Sequence, residues 1–407
     1  MNRSGAREPG LSVVRHAPVL RFDAHEPFLP RALGYEIHEA DGASASADHP
    51  VALNGAAQAI EFAIWWDWDI QHLYELEHVW VYVDDDDAVV RVEASAHGTS
   101  GEMWRDRRKL PVENGRIVLY SEPGKHAFAA DPALLRANLA VTTHCCRDAA
   151  GEGEILVPGF LNDQLGDLTL YDRHLARRYL RSMAFKPAFR FDTAFDLRDV
   201  PAMAWQDLHA SIPGRMRAEL AWLRRQAKGV KAVLLDSGDT LIDENSQVFT
   251  EDGVVLHANP IPGGDRLVVE LKRRGYLVAL VADGRVQSFK NVHRALGFWD
   301  LFDARVISEQ MGQRKPDPSM FEAAAAAMGL TAEDYSGCVM VGNNLARDVA
   351  GANRLGMRSV WINWGDNYPK TPACGYEIPD FEIRLPHEVL DILDRIEGGV
   401  PPECKRF

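Results

Sequence analysis

Val230-Lys231-Ala232-Val233-Leu234-Leu235-Asp236-Ser237-Gly238-Asp239-Thr240 is the stretch on which the fold of the second half of this chain turns. A short apolar run ends abruptly in a polar turn that contains glycine. The run shows no alternation of apolar and polar residues, so it reads as a strand buried on both faces, the habit of parallel sheets. The sequence beyond it repeats the theme. A helical segment over Gly264 to Arg274 precedes a second apolar run at Leu277 to Ala282. Then come Ala304 to Ile307, an alanine-rich helix at Met320 to Met328, Cys338 to Val341, a helix near Ala346 to Leu355, and Ser359 to Ile362. Strand–helix alternation with continuous apolar strands predicts an α/β doubly wound parallel sheet from about Lys231 to Trp364.

In such sheets ligands sit at the carboxyl ends of the strands, so the residues just past each run matter most. The first strand end supplies Asp236 to Thr240, the second Ala282-Asp283-Gly284, and the fourth Gly342-Asn343-Asn344 with Asp348 one turn on. Lys315-Pro316-Asp317-Pro318 follows the third. Carboxylates can hold Mg²⁺, and a lysine offsets the charge of a bound anion. The intervals from Asp236 to Ala282 and from Ala282 to Lys315 are too short for a separate cap domain. At most Gln247 to Ala258, with Gly253 at a turn, makes a short β-flap.

This order of motifs resembles the haloacid dehalogenase (HAD) superfamily of hydrolases, over about Lys231 to Trp364. The resemblance implies a capless HAD-like Rossmannoid domain in which Asp236 attacks phosphorus to form an aspartyl-phosphate that water hydrolyses. It places Lys315 as the clamp on the anionic transition state and Mg²⁺ at Asp236, Gly238 and Asp348. Thr240, Ala282, Asp283, Gly284 and Asn343 fall at its substrate-binding stations. There are departures. The family's phosphatases usually carry a second aspartate, the acid and base, two residues after the nucleophile; here that residue is Gly238, and Asp239 follows as the remaining catalytic candidate. The usual Ser or Thr of the second motif is Ala282, and the usual Gly-Asp of the fourth is Gly342-Asn343. A missing general acid typically costs ~10²–10⁴-fold in rate.

Upstream, Val79 to Val83 and Val89 to Glu93 read as two strands around the acidic turn Asp84 to Asp87, and Arg116 to Tyr120 as a third. A helix is expected near Asp172 to Ser182, and Pro213 to Ala227 reads as an amphipathic helix with proline at its start. The expected divisions are an irregular lead-in (1–50), a β-sandwich-like domain with a helical tail (51–212), a bridging helix (213–228), the α/β domain (229–385) and a C-terminal helix and tail (386–407). The densest polar cluster of the first half is Asp67, Asp69, His72, Glu75 and Glu77; carboxylates and one imidazole make a candidate site for a second divalent metal. His72 to His78, then Ser95-Ala-His97-Gly98 and Gly124-Lys125-His126, resemble the necrosis-inducing-protein and vacuolar-sorting-associated β-sandwich families. In the first of these, the stations of His72, Glu75 and Glu77 hold metal ligands, with an upstream aspartate, Asp67 or Asp69 here, as a further one.

The chain of 407 residues carries a net charge of -14, which argues against nucleic acid or an anionic membrane surface as partner. No apolar stretch is long enough to span a bilayer and no secretory signal is visible. Five scattered cysteines, including Cys404, suggest neither a disulfide framework nor a zinc knuckle. These features fit a cytoplasmic protein whose oligomeric state is open. The leading expectation is a Mg²⁺-dependent phosphatase acting on a small phosphorylated molecule or a larger phosphorylated substrate. The alternatives are a catalytically degenerate HAD domain in a ligand-binding or regulatory protein, or a metallohydrolase using His72, Glu75 and Glu77.

Overall fold

The computed structural model describes residues 10–96, 98–105, 108–157, 164–165, 168–227 and 229–397. His97, Cys404 and the outermost parts of the lead-in and tail lie outside these. Two compact units are present, one of Met1–Asp167 with Leu175–Arg225, the other of Leu168–His174 with Gln226–Phe407.

The second unit is built on six strands: β1 (Ala232–Leu235), β2 (Leu277–Ala282), β3 (Ala304–Ile307), β4 (Cys338–Gly342), β5 (Arg358–Ile362) and β6 (Phe381–Ile383). Their order is β3-β2-β1-β4-β5-β6, and every neighbouring pair is parallel. The reason is in the side chains. All four residues of β1 are buried, as are all six of β2, so neither face of the sheet centre can be left to water. Val233, Leu235, Val278, Leu280, Val339 and Val341 join one core, which also takes Leu267, Val268 and Leu271 from the helix Gly264–Arg273. Each buried side chain of this size contributes about 1.5–3 kcal/mol. Strand order reverses between β1 and β4, which opens a crevice at their carboxyl ends.

Between β1 and β2 the chain makes an antiparallel ribbon, Val248–Phe249 with Val255–His257, and Gly253 at its turn has a φ of 78°. This is the short flap expected from the sequence. The helix Val286–Ala295 and β6 were not expected; β6 has only three residues, too few to leave a pattern.

The first unit is strand-rich. Its larger sheet sets Ala32–His38, Gln58–Trp68, His72–Val83 and Val89–Ala96 side by side as antiparallel neighbours. The hairpin around Asp84 to Asp87 is present, its turn closed where Asp84 Oδ1 accepts the N–H groups of Asp86 (3.0 Å) and Ala88 (2.9 Å). A smaller sheet contains Val19–Phe22, Arg116–Ser121 and Thr193–Asp196. Two expectations are corrected. The lead-in is not irregular, because Val19–Phe22 pairs with residues near 118 and 195 and Ala32–His38 pairs with residues near 62, partners too distant to be read locally. The helix expected from Pro213 begins at Trp205 and runs to Gln226 with Pro213 inside it. Trp205, Leu208 and Ile212 extend the buried stripe of Met216, Leu220 and Leu223 upstream of the proline. Among the described residues no helix is long and apolar enough to cross a membrane.

Candidate active site

Asp236 is the first residue past β1, and its N–H donates to Val341 O at 3.0 Å, which ties the turn to β4. The Ser237 carbonyl then accepts from Leu241 N (2.8 Å) and Ile242 N (3.0 Å). Closing so tight a turn requires a left-handed residue, and Asp239 takes it with φ 46°. Its carboxylate is fully buried: Oδ1 accepts Glu244 N at 3.0 Å and Oδ2 accepts Asn367 Nδ2 at 2.6 Å. Asp239, expected among the catalytic groups, is therefore spent on the turn and does not line the cavity.

That cavity, about 260 Å³, opens at the carboxyl ends of the strands and is lined by Asp236, Gly238, Asp283, Lys315, Asn343 and Asp348, together with residues from the ribbon. Lys315 is at its centre. Its Nζ lies 2.6 Å from Asp236 Oδ1 and 2.7 Å from Asp348 Oδ1, with the side chain almost wholly buried. Its own N–H donates to Asp283 Oδ1 at 3.1 Å. Burial would lower the ammonium pKa, but Asp236, Asp348 and Asp283 hold it above its ordinary value, so Lys315 stays charged. Burial lifts Asp348 to about 6, against the pull of Lys315. Asp348 is placed by Asn344, whose N–H donates to Oδ2 at 3.0 Å and whose side chain caps the turn Leu345–Val349. Gly342 leaves the room this needs: a Cβ there would come within 2.6 Å of Asp348 Cβ.

The other expected residues divide. Gly284 lines the cavity, its N–H held by Ser308 Oγ at 2.9 Å. Asn343 lines it too, while its carbonyl accepts Trp361 Nε1 at 2.8 Å. Thr240 and Ala282 are buried and do not line it; Thr240 Oγ1 finds no hydrogen-bond partner among the described residues. Lining residues that the sequence reading missed include Glu244, Arg285, Arg347 and Tyr368. Arg347 Nη1 is 3.6 Å from Asp283 Oδ2. Glu244, half-buried, is pushed up to about 7 by burial and then by the charges of Asp236 and Asp239. No local pattern marks Glu244; only the left-handed turn at Asp239 brings it to the cavity.

In the first unit, Asp69, His72 and Glu75 bring one ligand atom each within 4.8 Å of one another. Asp67 and Glu77 do not join them. Asp67 accepts from Trp65 Nε1 (2.8 Å) and Arg31 Nε (3.3 Å), and Glu77 accepts from Ser95 Oγ. Simple two-residue alternation fails here because Asp69 lies past the end of its strand and Tyr74 has a φ of 65°. Lys125 Nζ sits 2.5 Å from Asp69 Oδ2, and the other oxygen of Asp69 accepts backbone N–H groups of Gln71 and His72. Burial opposes the charge on Asp69, but His72 and Lys125 keep its pKa low; Glu75 is raised by burial, then by Asp69 and Glu77. Lys125 thus sets one positive charge against Asp69, at the edge of a group of three ligand atoms that could hold a metal ion.

A central β1 ending in an aspartate, with a lysine and a second aspartate converging on it from other strand ends, defines a class. The chain belongs to the haloacid dehalogenase-like hydrolases, whose family model matches residues 169–356. It is 34% identical over 212 residues to a phosphoserine phosphatase of Thermus thermophilus, a match spanning 47% of this chain and 79% of that protein. It is 35% identical over 147 residues to a glyceraldehyde 3-phosphate phosphatase of Methanopyrus kandleri, covering 36% of this chain and 61% of the relative. An (S)-2-haloacid dehalogenase of a Pseudomonas species matches at 32% identity over 129 residues, 32% of this chain and 53% of its own length. The chain thus spans little more than half the length of several relatives that it matches.

Proposed function

We propose that this protein hydrolyses phosphate monoesters at the cavity above β1. The observation that carries the reading is the buried Lys315 ammonium, 2.6 Å from Asp236 and 2.7 Å from Asp348. A charged lysine beside a carboxylate at a cavity floor both orients that carboxylate and offers a fixed counter-charge to an incoming dianion. Asp236 Oδ attacks phosphorus, the bond from phosphorus to the ester oxygen breaks, and the alcohol departs with a proton. Water then attacks the aspartyl-phosphate, releasing phosphate and restoring Asp236. Lys315 and Arg347 balance the phosphoryl charge in both steps.

The donor set suits Mg²⁺, a hard cation that prefers oxygen: the carboxylates of Asp236 and Asp348, with the main-chain carbonyl of Gly238, would hold it. When bound, the ion would offset charge on the phosphoryl oxygens. The phosphatases among the relatives support a phosphorylated substrate. Release of inorganic phosphate from a panel of monoesters, with Mg²⁺ present, tests the proposal. Wild type is expected to release phosphate and Asp236→Asn to fall to background. A wild type that releases none across the panel would overturn it.

A further inference from the structure

Position 238 has no side chain, yet the space that one would take is filled. A Cβ built on Gly238 would lie 2.6 Å from Cδ and 2.9 Å from Cγ of Glu244, with Oε1 nearer still. The Glu244 carboxylate therefore stands where a side chain at 238 would begin, in the cavity that Asp236 also lines. Its placement is built in. Glu244 opens the short turn Glu244–Ser246, and its N–H is held 3.0 Å from Asp239 Oδ1. Asp239 is itself fixed by its left-handed backbone and by Asn367. The preceding residue, Asp243, caps the same turn through Asn245 N at 2.9 Å. Two buried or capping aspartates are thus used to aim one glutamate.

What Glu244 does with its carboxylate is not structural. The carboxylate makes no hydrogen bond and no ion pair with any described residue, although Lys315 and Arg347 line the same cavity. Phosphate ester cleavage needs such a group, because an alkoxide is a poor leaving group until protonated. A carboxyl that lines the nucleophile's own cavity, free of other hydrogen bonds, is suited to meet the ester oxygen.

We propose that Glu244 is the proton-transfer residue of this site. The role rests on the phosphatase reading above. As Asp236 bonds to phosphorus and the ester P–O bond breaks, the proton on the Glu244 carboxyl goes to the departing alcohol oxygen. In the second step the Glu244 carboxylate takes a proton from water as the water oxygen bonds to phosphorus and the Asp236–phosphorus bond breaks. The carboxyl is thereby reset, and no further reactant is required. The glycine at 238 and the glutamate at 244 form one device: the first makes room and the second fills it.

The test uses the full chain with Mg²⁺ and two substrates, 4-nitrophenyl phosphate, whose leaving group departs without help, and glycerol phosphate, whose alkoxide does not. For Glu244→Gln, kcat on glycerol phosphate is expected to drop ~10²–10⁴-fold. On 4-nitrophenyl phosphate the variant should give a burst of one equivalent of nitrophenol, then slow turnover as the aspartyl-phosphate accumulates. An active wild type with a Glu244→Gln variant that equals it on both substrates, or loses equally on both without a burst, overturns the role alone. A wild type inactive on both overturns the phosphatase reading and this role with it. Should Glu244→Gln fail to fold, Glu244→Ala with and without Gly238→Asp carries the test. The added aspartate fits only once Glu244 is cut back, and it should restore at least tenfold of the lost activity on glycerol phosphate; no recovery overturns the role.

Discussion

Gly342 and Gly238 are both glycines beside a carboxylate, and they do different work. At Gly342 the missing side chain lets Asp348 fold back over the end of β4, so close that a Cβ at 342 would lie 2.6 Å from the Cβ of Asp348. Asp348 is then within reach of Lys315, and its second oxygen is claimed by Asn344 N. Gly342→Ala must push Asp348 out of this position. We expect a loss of about 1–3 kcal/mol in unfolding free energy, the usual cost of overpacking, and a fall in phosphatase kcat larger than the change in KM. Urea unfolding and steady-state kinetics on one preparation would check both. Native stability with full activity would mean that Asp348 has no exact station to keep. Asp236, Lys315 and Asp348 were legible because a doubly wound sheet presents its ligand-facing residues just past the strands. Glu244 was not, because its station depends on how Asp239 turns the chain.

The helix Val286–Ala295 is set on the sheet by a residue that no motif marks. His293 is fully buried, packed among Phe289, Phe298, Trp299 and Phe302, with its Nε2 2.9 Å from Ser237 Oγ. Burial lowers its pKa from 6.5 to about 3. The folded protein therefore keeps His293 neutral through a pH range in which the unfolded chain protonates it. Above about 6.5 the residue carries no penalty; as pH falls from there toward 3, stability drops by up to about 1.4 kcal/mol per pH unit. In His293→Gln, unfolding free energies measured between pH 6 and pH 4 should show a slope shallower by about one proton. An unchanged slope would mean that His293 already protonates in the native state. Elements of this unit were legible in proportion to their burial. Leu277–Ala282 is found with the expected ends because a strand covered on both faces writes itself as a continuous apolar run, and the edge strand Ala304–Ile307 also has its expected ends although Arg305 interrupts its burial. β6 and the early strands Val19–Phe22 and Ala32–His38 were not, being too short or paired too far away in sequence.

At the scale of the molecule, a net charge of -14 coexists with a cavity whose lining mixes Asp236, Glu244, Asp283 and Asp348 with Arg285, Lys315 and Arg347. With Glu244 carrying the proton it is proposed to donate, three acids stand against three bases and the lining offers no net positive charge, so a phosphate dianion enters comfortably only with a divalent cation. Chelation should therefore abolish phosphate release, and added Mg²⁺ should restore it. In the first unit Lys125 is likewise paired with a buried carboxylate, that of Asp69. Lys315 has a comparable second aspect. An ammonium lodged between two carboxylates is a resident cation, and it spares the floor of the site from electrostatic collapse whether or not a soluble ion is present. Metal should thus behave as a visitor to a finished scaffold: a chelator that silences catalysis should leave the melting temperature within about 2 °C of its starting value, less than ~1 kcal/mol of stability would move it.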